Sequence, residues 1–116
     1  MQPDAAALIW DARRAAQLIL NFVAGRTWQD YQSDAMLRSA VERQFEVIGE
    51  SLNRLSRADP ITAALVSDLP RIVAFRNVLV HGYATIDDVL VWEVATTRID
   101  PLIATLSRLL SEGPTS

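Results

Sequence analysis

Apolar residues recur along this chain at spacings of three and four, with no alternating stretch long enough for a sheet, so the pattern predicts helices. Leu8, Ala12, Ala16, Ile19 and Val23 form one stripe in a helix expected from about Asp4 to Ala24, which Gly25 ends. A short aromatic-rich segment follows, Arg26 to Gln32, with Trp28 and Tyr31. Ser33 is the expected N-cap of a second helix, roughly Asp34 to Ser56, striped by Leu37, Val41, Phe45, Ile48, Leu52 and Leu55. Asp59-Pro60 marks a break, and a short helix is expected near Ile61 to Val66. Pro70 suits the first turn of a helix that reaches Val80 or His81, where Gly82 stops it. The last helix begins near Ile86 to Asp88. Its stripe is Ile86, Leu90, Val94 and Thr97, continued by Ile103, Leu106 and Leu110, and Asp100-Pro101 is expected to kink or interrupt it. From Glu112 onward the tail reads as frayed. The expected fold is all-α, an antiparallel bundle of four main helices plus one short helix, in a single domain over residues 1–116.

Composition narrows the setting. Half of the residues are hydrophobic and 22% are charged, a globular balance. A helical chain this short and this apolar is expected to hide part of its surface in a homodimer. The absence of cysteine excludes disulfides and Cys-based zinc sites, and with a lone histidine any metal site would rest mainly on carboxylates; the sequence singles out no cofactor. Neither a signal-peptide pattern nor an apolar run of membrane length is present, which points to a cytoplasmic protein with no membrane association. A net charge of −3 argues against broad coating of nucleic acid but leaves room for a local phosphate site. All 11 basic residues are Arg. Six of them (Arg38, Arg43, Arg54, Arg57, Arg71 and Arg76) fall between residues 38 and 76, so a phosphate-binding face would draw on the middle of the chain.

Chemistry concentrates in Phe75-Arg76-Asn77-Val78-Leu79-Val80-His81-Gly82-Tyr83. Arginine clamps phosphate with paired hydrogen bonds, and histidine moves protons near neutral pH. Those two jobs are what RNA cleavage without a metal requires: a base for the ribose 2′-OH, an acid for the leaving oxygen and a cation for the charged phosphorane. Five positions on an ideal helix separate two side chains by about 140°, so Arg76 and His81 converge only if His81 sits at a frayed C-terminal turn, or if two chains each supply a set. The plainer readings are a C-capping His81, a salt-bridging Arg76 and a partly buried Tyr83.

Three blocks together resemble the HepT-like branch of the HEPN-domain family. Arg76 to Tyr83 is similar to its RxxxxHxY signature. Ala40 to Asn53 (AVERQFEVIGESLN) is similar to its "ERxFEIIGEAL" helix, and Ile72 to Asn77 leads into the signature in the family manner. The resemblance implies a helical-bundle endoribonuclease that needs no metal, dimerises with the motif in a cleft between protomers, and is the toxin of a type VII-like HEPN/MNT toxin–antitoxin module. By position, Arg76 would bind the scissile phosphate, His81 would serve as acid or base, and Asn77 would be the polar residue that follows the motif arginine. Tyr83 would be the site to which a minimal nucleotidyltransferase antitoxin transfers AMP, placing bulk and negative charge where RNA phosphate must sit. Glu50, in the second block, would orient Arg76 or polarise His81, with a bundle salt bridge as the ordinary alternative. Gly49 reads as a site of close helix approach. Trp10, Trp28 and Trp92 read as core or interface in preference to base-stacking platforms, and Asp87 and Asp88 as helix caps in preference to metal ligands. The competing functional class is a non-catalytic helical dimer module that binds a nucleotidyltransferase partner or a nucleotide.

Overall fold

The computed structural model describes residues 1–80 and 87–112, and within them every regular element is helical. The elements are α1 (Pro3–Val23), α2 (Trp28–Ser33), α3 (Ala35–Ala58), α4 (Pro60–Ala63), α5 (Leu69–Val80), α6 (Asp88–Thr97) and α7 (Ile99–Glu112). Helix α1 packs along α3 on one side and α7 on the other, while α5 lies on α3.

The α1–α3 seam is the centre of the core. Ala5, Ile9, Ala12, Ala16 and Ile19 on α1 meet Val41, Phe45, Ile48, Leu52 and Leu55 on α3, all buried. Each fully buried Ile, Leu or Phe in such a seam contributes about 1.5–3 kcal/mol. All six residues of the expected α3 stripe are buried. On α1 four of the five expected residues, Ala12, Ala16, Ile19 and Val23, are buried; at the N-terminal end Ala5 and Ile9 are buried and Leu8 is a partly buried flank.

Boundaries follow the caps. Gly25 stands at φ 71, a left-handed conformation that glycine adopts without steric cost, just beyond the end of α1. The short aromatic-rich segment after it, not counted among the expected helices, is the helix α2. Thr27 Oγ1 accepts from Asp30 N (3.1 Å) while Asp30 Oδ2 accepts from Thr27 N (2.9 Å), a reciprocal capping box. The cap of α3 is therefore Asp34 and not Ser33. Asp34 Oδ1 accepts from Leu37 N, whereas the Ser33 hydroxyl, at the end of α2, donates back to Gln29 O. Arg38 reaches back from α3 and donates to the carbonyls of Tyr31 and Gln32, satisfying the last turn of α2.

Asp59 closes α3 and opens α4. Its carboxylate accepts from Gln2 N (2.8 Å), Thr62 Oγ1 (2.7 Å) and Thr62 N (3.1 Å), which fixes the start of α1 beside the end of α3. These donors, the Gln2 amide foremost, hold the Asp59 carboxyl below the usual carboxylate range. Pro60 then takes the first turn of α4, which is shorter than the expected Ile61 to Val66 helix.

The C-terminal stretch is interrupted as expected, but at Arg98; Asp100 and Pro101 lie in the first turn of α7, where proline costs no hydrogen bond. The buried register differs from the expected one and runs unbroken through the interruption. Val91, Ala95, Ile99, Leu102, Leu106 and Leu109 face inward, while Leu90 is 44% exposed and Ile103 and Leu110 are flanks. Helix α6 is apolar on most sides, so its periodicity does not select one buried face.

Candidate functional site

The site is built where α5 crosses α3. Ile72, Arg76 and Leu79 step by four and three along α5, which puts Arg76 in the row that faces the bundle. Phe75, beside it, sets its ring edge-on against Phe45 of α3 at 5.1 Å between centroids. An arginine in an inward row needs room, and Gly49 supplies it. A Cβ on Gly49 would lie 2.5 Å from Arg76 Cγ and closer still to Arg76 Cβ. Those atoms are at the stiff root of the side chain, so the guanidinium can lie across α3 only because residue 49 has no side chain. The expected close approach at Gly49 is thus present, and its partner is Arg76.

Across that glycine, Arg76 Nη2 donates to Glu50 Oε2 at 2.9 Å, and Arg76 Nη1 donates to Asn77 Oδ1 at 3.1 Å. The Nε–H is buried and has no hydrogen-bond partner among the described residues. The guanidinium is therefore oriented by a carboxylate and an amide and retains donor capacity. Exposure of 23% for the Arg76 side chain and 47% for Glu50 makes this pair exchangeable with solvent, and pairs of that kind contribute at most about 1 kcal/mol to stability. A better acceptor arriving at the cleft competes with Glu50 on modest terms.

Arg76, Glu50 and Ser51 line a polar cleft of about 580 Å³, together with Arg43, Glu46 and Val47. Arg43, Glu46 and Glu50 share one face of α3 by their spacing of three and four, a pattern visible in the sequence and not singled out there as a site. Arg43 Nη1 pairs with Glu46 Oε2 at 3.3 Å, and the Arg43 side chain is 69% exposed.

Of the expected site residues, Arg76, Asn77 and Glu50 are brought together. His81, Gly82 and Tyr83 lie outside the described residues, as does Ile86; α5 is described as far as Val80. Asp87, which follows, caps α6 by accepting from Leu90 N at 3.1 Å, and Asp88 pairs with Arg38 at 3.8 Å. These are structural roles. Trp28 and Trp92 pack against the buried Tyr31, at 6.2 and 5.2 Å between ring centroids, while half-exposed Trp10 carries Arg14 over its ring. The Tyr31 hydroxyl is buried without a hydrogen-bond partner among the described residues, and burial, with Glu42 and Asp88 nearby, pushes its pKa above the usual tyrosine range.

A second cavity, apolar and of about 350 Å³, lies on another face of α5. Ile72, Phe75 and Val78 line it with Leu90 and Val94 of α6 and Leu102 of α7. Val78 and Val89 are nearly three-fifths exposed.

The architecture defines a class, a helical bundle with an arginine steered by a glycine into a polar cleft. Residues 12–109 match the model of the ribonuclease HepT-like family, and the chain belongs to that family. It is similar to "Putative RNase MJ1380" of Methanocaldococcus jannaschii, 29% identical over 91 residues that cover 78% of this chain and 83% of that protein. It is also similar to "Putative RNase MJ1216" of the same organism, 23% identical over 109 residues covering 94% of this chain and 89% of the relative. No solved structure matches the chain. No described helix is long and apolar enough to cross a membrane.

Proposed function

We propose that this chain is an endoribonuclease that cleaves RNA without a metal ion, with Arg76 and His81 as its catalytic pair. The carrying observation is the guanidinium of Arg76, oriented by Glu50 and Asn77 at the edge of a polar cleft, five residues before the only histidine of the sequence. Membership of the ribonuclease HepT-like family supports the reaction class.

In this reading Arg76 binds the non-bridging oxygens of the scissile phosphate and stabilises the charge that grows as the phosphorane forms. One imidazole takes the proton of the ribose 2′-OH. The 2′ oxygen bonds to phosphorus, the bond to the 5′ oxygen breaks, and that oxygen leaves with a proton from an acid. The products are a 2′,3′-cyclic phosphate and a 5′-hydroxyl. A homodimer provides two copies of His81, one for each proton transfer. The exposed apolar surface of Val78, Val89 and Leu90 around the α5–α6 groove is the feature that favours such a pairing.

As the toxin of a type VII-like HEPN/MNT module, the whole chain acts as one cytoplasmic domain and is silenced by a minimal nucleotidyltransferase. The Tyr83 oxygen attacks the α-phosphate of ATP, pyrophosphate leaves, and AMP on Tyr83 blocks the phosphate position by charge and bulk.

The test is cleavage of labelled RNA by the purified chain with and without EDTA. The expected result is cleavage that persists in chelator, leaves 2′,3′-cyclic ends and falls about a hundredfold or more in Arg76→Gln. Absence of cleavage in any RNA tried, or activity abolished by EDTA and restored by a divalent ion, would overturn the proposal.

A further inference from the structure

The polar cleft holds more charge than one phosphodiester uses. Arg76 enters it from α5, and Arg43 enters from α3, two helical turns before Glu50 on the same face. The two arginines differ in how they are held. Arg76 is mostly buried and fixed by Glu50 and Asn77, whereas Arg43 is largely exposed and, among the described residues, makes one long hydrogen bond, 3.3 Å, to Glu46. Each guanidinium thus rests against a glutamate of α3 one turn or more away from the other pair. Such an arrangement is near neutral when empty, in a chain whose net charge is −3, and offers two separate cations once the carboxylates are displaced. Phosphate oxygens accept paired hydrogen bonds from arginine at least as well as a carboxylate does, and the loosely paired Arg43 is the easier of the two to recruit.

We infer that Arg43 binds a second phosphodiester of the same single-stranded RNA whose scissile phosphate sits at Arg76, so that the polar face of α3 is a track for the substrate backbone. The inference rests on the ribonuclease reading for the identity of its ligand. Its contact is to phosphate and carries no base preference, so it adds affinity and register without sequence specificity. Glu46 is the internal competitor, a carboxylate that the RNA must displace.

The test uses the full chain and a single-stranded RNA oligonucleotide made uncleavable by 2′-O-methyl groups, with affinity measured over a range of salt. For single strands each neutralised phosphate contributes about 0.7 to the slope of log affinity against log salt. Arg43→Gln is expected to lower that slope by about 0.7 and to weaken binding several-fold at low salt. With cleavable RNA the same variant raises KM and leaves kcat nearly unchanged, because the lost contact is made equally in the ground and transition states. Arg43→Lys keeps the salt slope, and Glu46→Gln tightens binding. A folded Arg43→Gln variant with the wild-type slope and KM would overturn the inference while leaving the catalytic pair untouched. If the wild-type chain binds RNA through Arg43 but cuts nothing, the track stands and the nuclease reading falls. If it binds no RNA at all, both fall.

Discussion

Helices α1, α3 and α7 and helices α5 and α6 are two halves built on different logic. In the first half the apolar residues form narrow stripes, those stripes are buried against one another, and the outer faces are polar apart from Trp10 and Met36. In the second half α5 and α6 are apolar on several faces, and Val78, Val89 and Leu90 remain exposed around a groove. The first half supplies the floor of the polar cleft through Gly49, Glu50 and Arg43. The half with apolar surface to spare supplies Arg76 and leads into the histidine motif. A scaffold with its stripes buried thus carries an element that keeps part of its apolar surface exposed.

The contrast is most easily broken at the junction. Gly49→Ala places a methyl group on the root of the Arg76 side chain, a clash that α3 and α5 can relieve only by moving apart. The expected cost is about 1–3 kcal/mol in chemical denaturation, and RNA cleavage is lost beyond what that destabilisation explains, because Arg76 is displaced from Glu50. Wild-type stability and activity in Gly49→Ala would mean that the helices do not need this contact.

The second half is tested at its surface. Leu90→Glu places a charge at the rim of the apolar groove, on a residue already 44% exposed. Stability of the isolated chain should change by no more than about 0.5 kcal/mol, the usual range for surface substitutions. Sedimentation should show the proposed homodimer shifted toward monomer. A dimer that survives this variant would place its interface elsewhere and remove the reason offered for the exposed apolar residues.

The smallest expected effect belongs to Glu42, on α3 near Arg38 and Asp88. Desolvation by burial, helped by the Asp88 carboxylate, raises its pKa above the usual value, against the opposing pull of Arg38. A raised carboxyl pKa means that folding favours the protonated form. Its contribution is therefore fully present below the unfolded-state pKa and is lost as pH rises through the folded-state value. Glu42→Gln should give a small rise in Tm at neutral pH that disappears under acid conditions. A fall in Tm at neutral pH would show that the Glu42 charge is stabilising through Arg38.

The legibility of the fold follows the same division. The α3 stripe was readable to the residue because polar positions separate its apolar ones. On α6 the run Val89-Leu90-Val91-Trp92 has no polar punctuation, so the sequence pattern favoured Leu90 and Val94 where the packing buries Val91 and Ala95. The capping box of α2 lies in the sequence as Thr27 and Asp30, but a helix of six residues is too short to show an apolar stripe beside it. In the site, Arg76, Asn77 and Glu50 were nominated by motif, and their meeting depends on a long-range crossing that no local pattern encodes. Arg43 had the spacing to be nominated with Glu50, yet one exposed arginine among 11 carries no mark of its own. The places of His81 and Tyr83 rest on the motif and on chemistry.

The central claim is that Arg76 and His81 act on one phosphodiester, and the most direct measurement is the single-turnover cleavage rate of His81→Ala, with folding verified by its thermal melt. The account predicts a loss of at least about a hundredfold, with RNA binding retained through the arginines. Cleavage at the wild-type rate by a fully folded His81→Ala variant would contradict it.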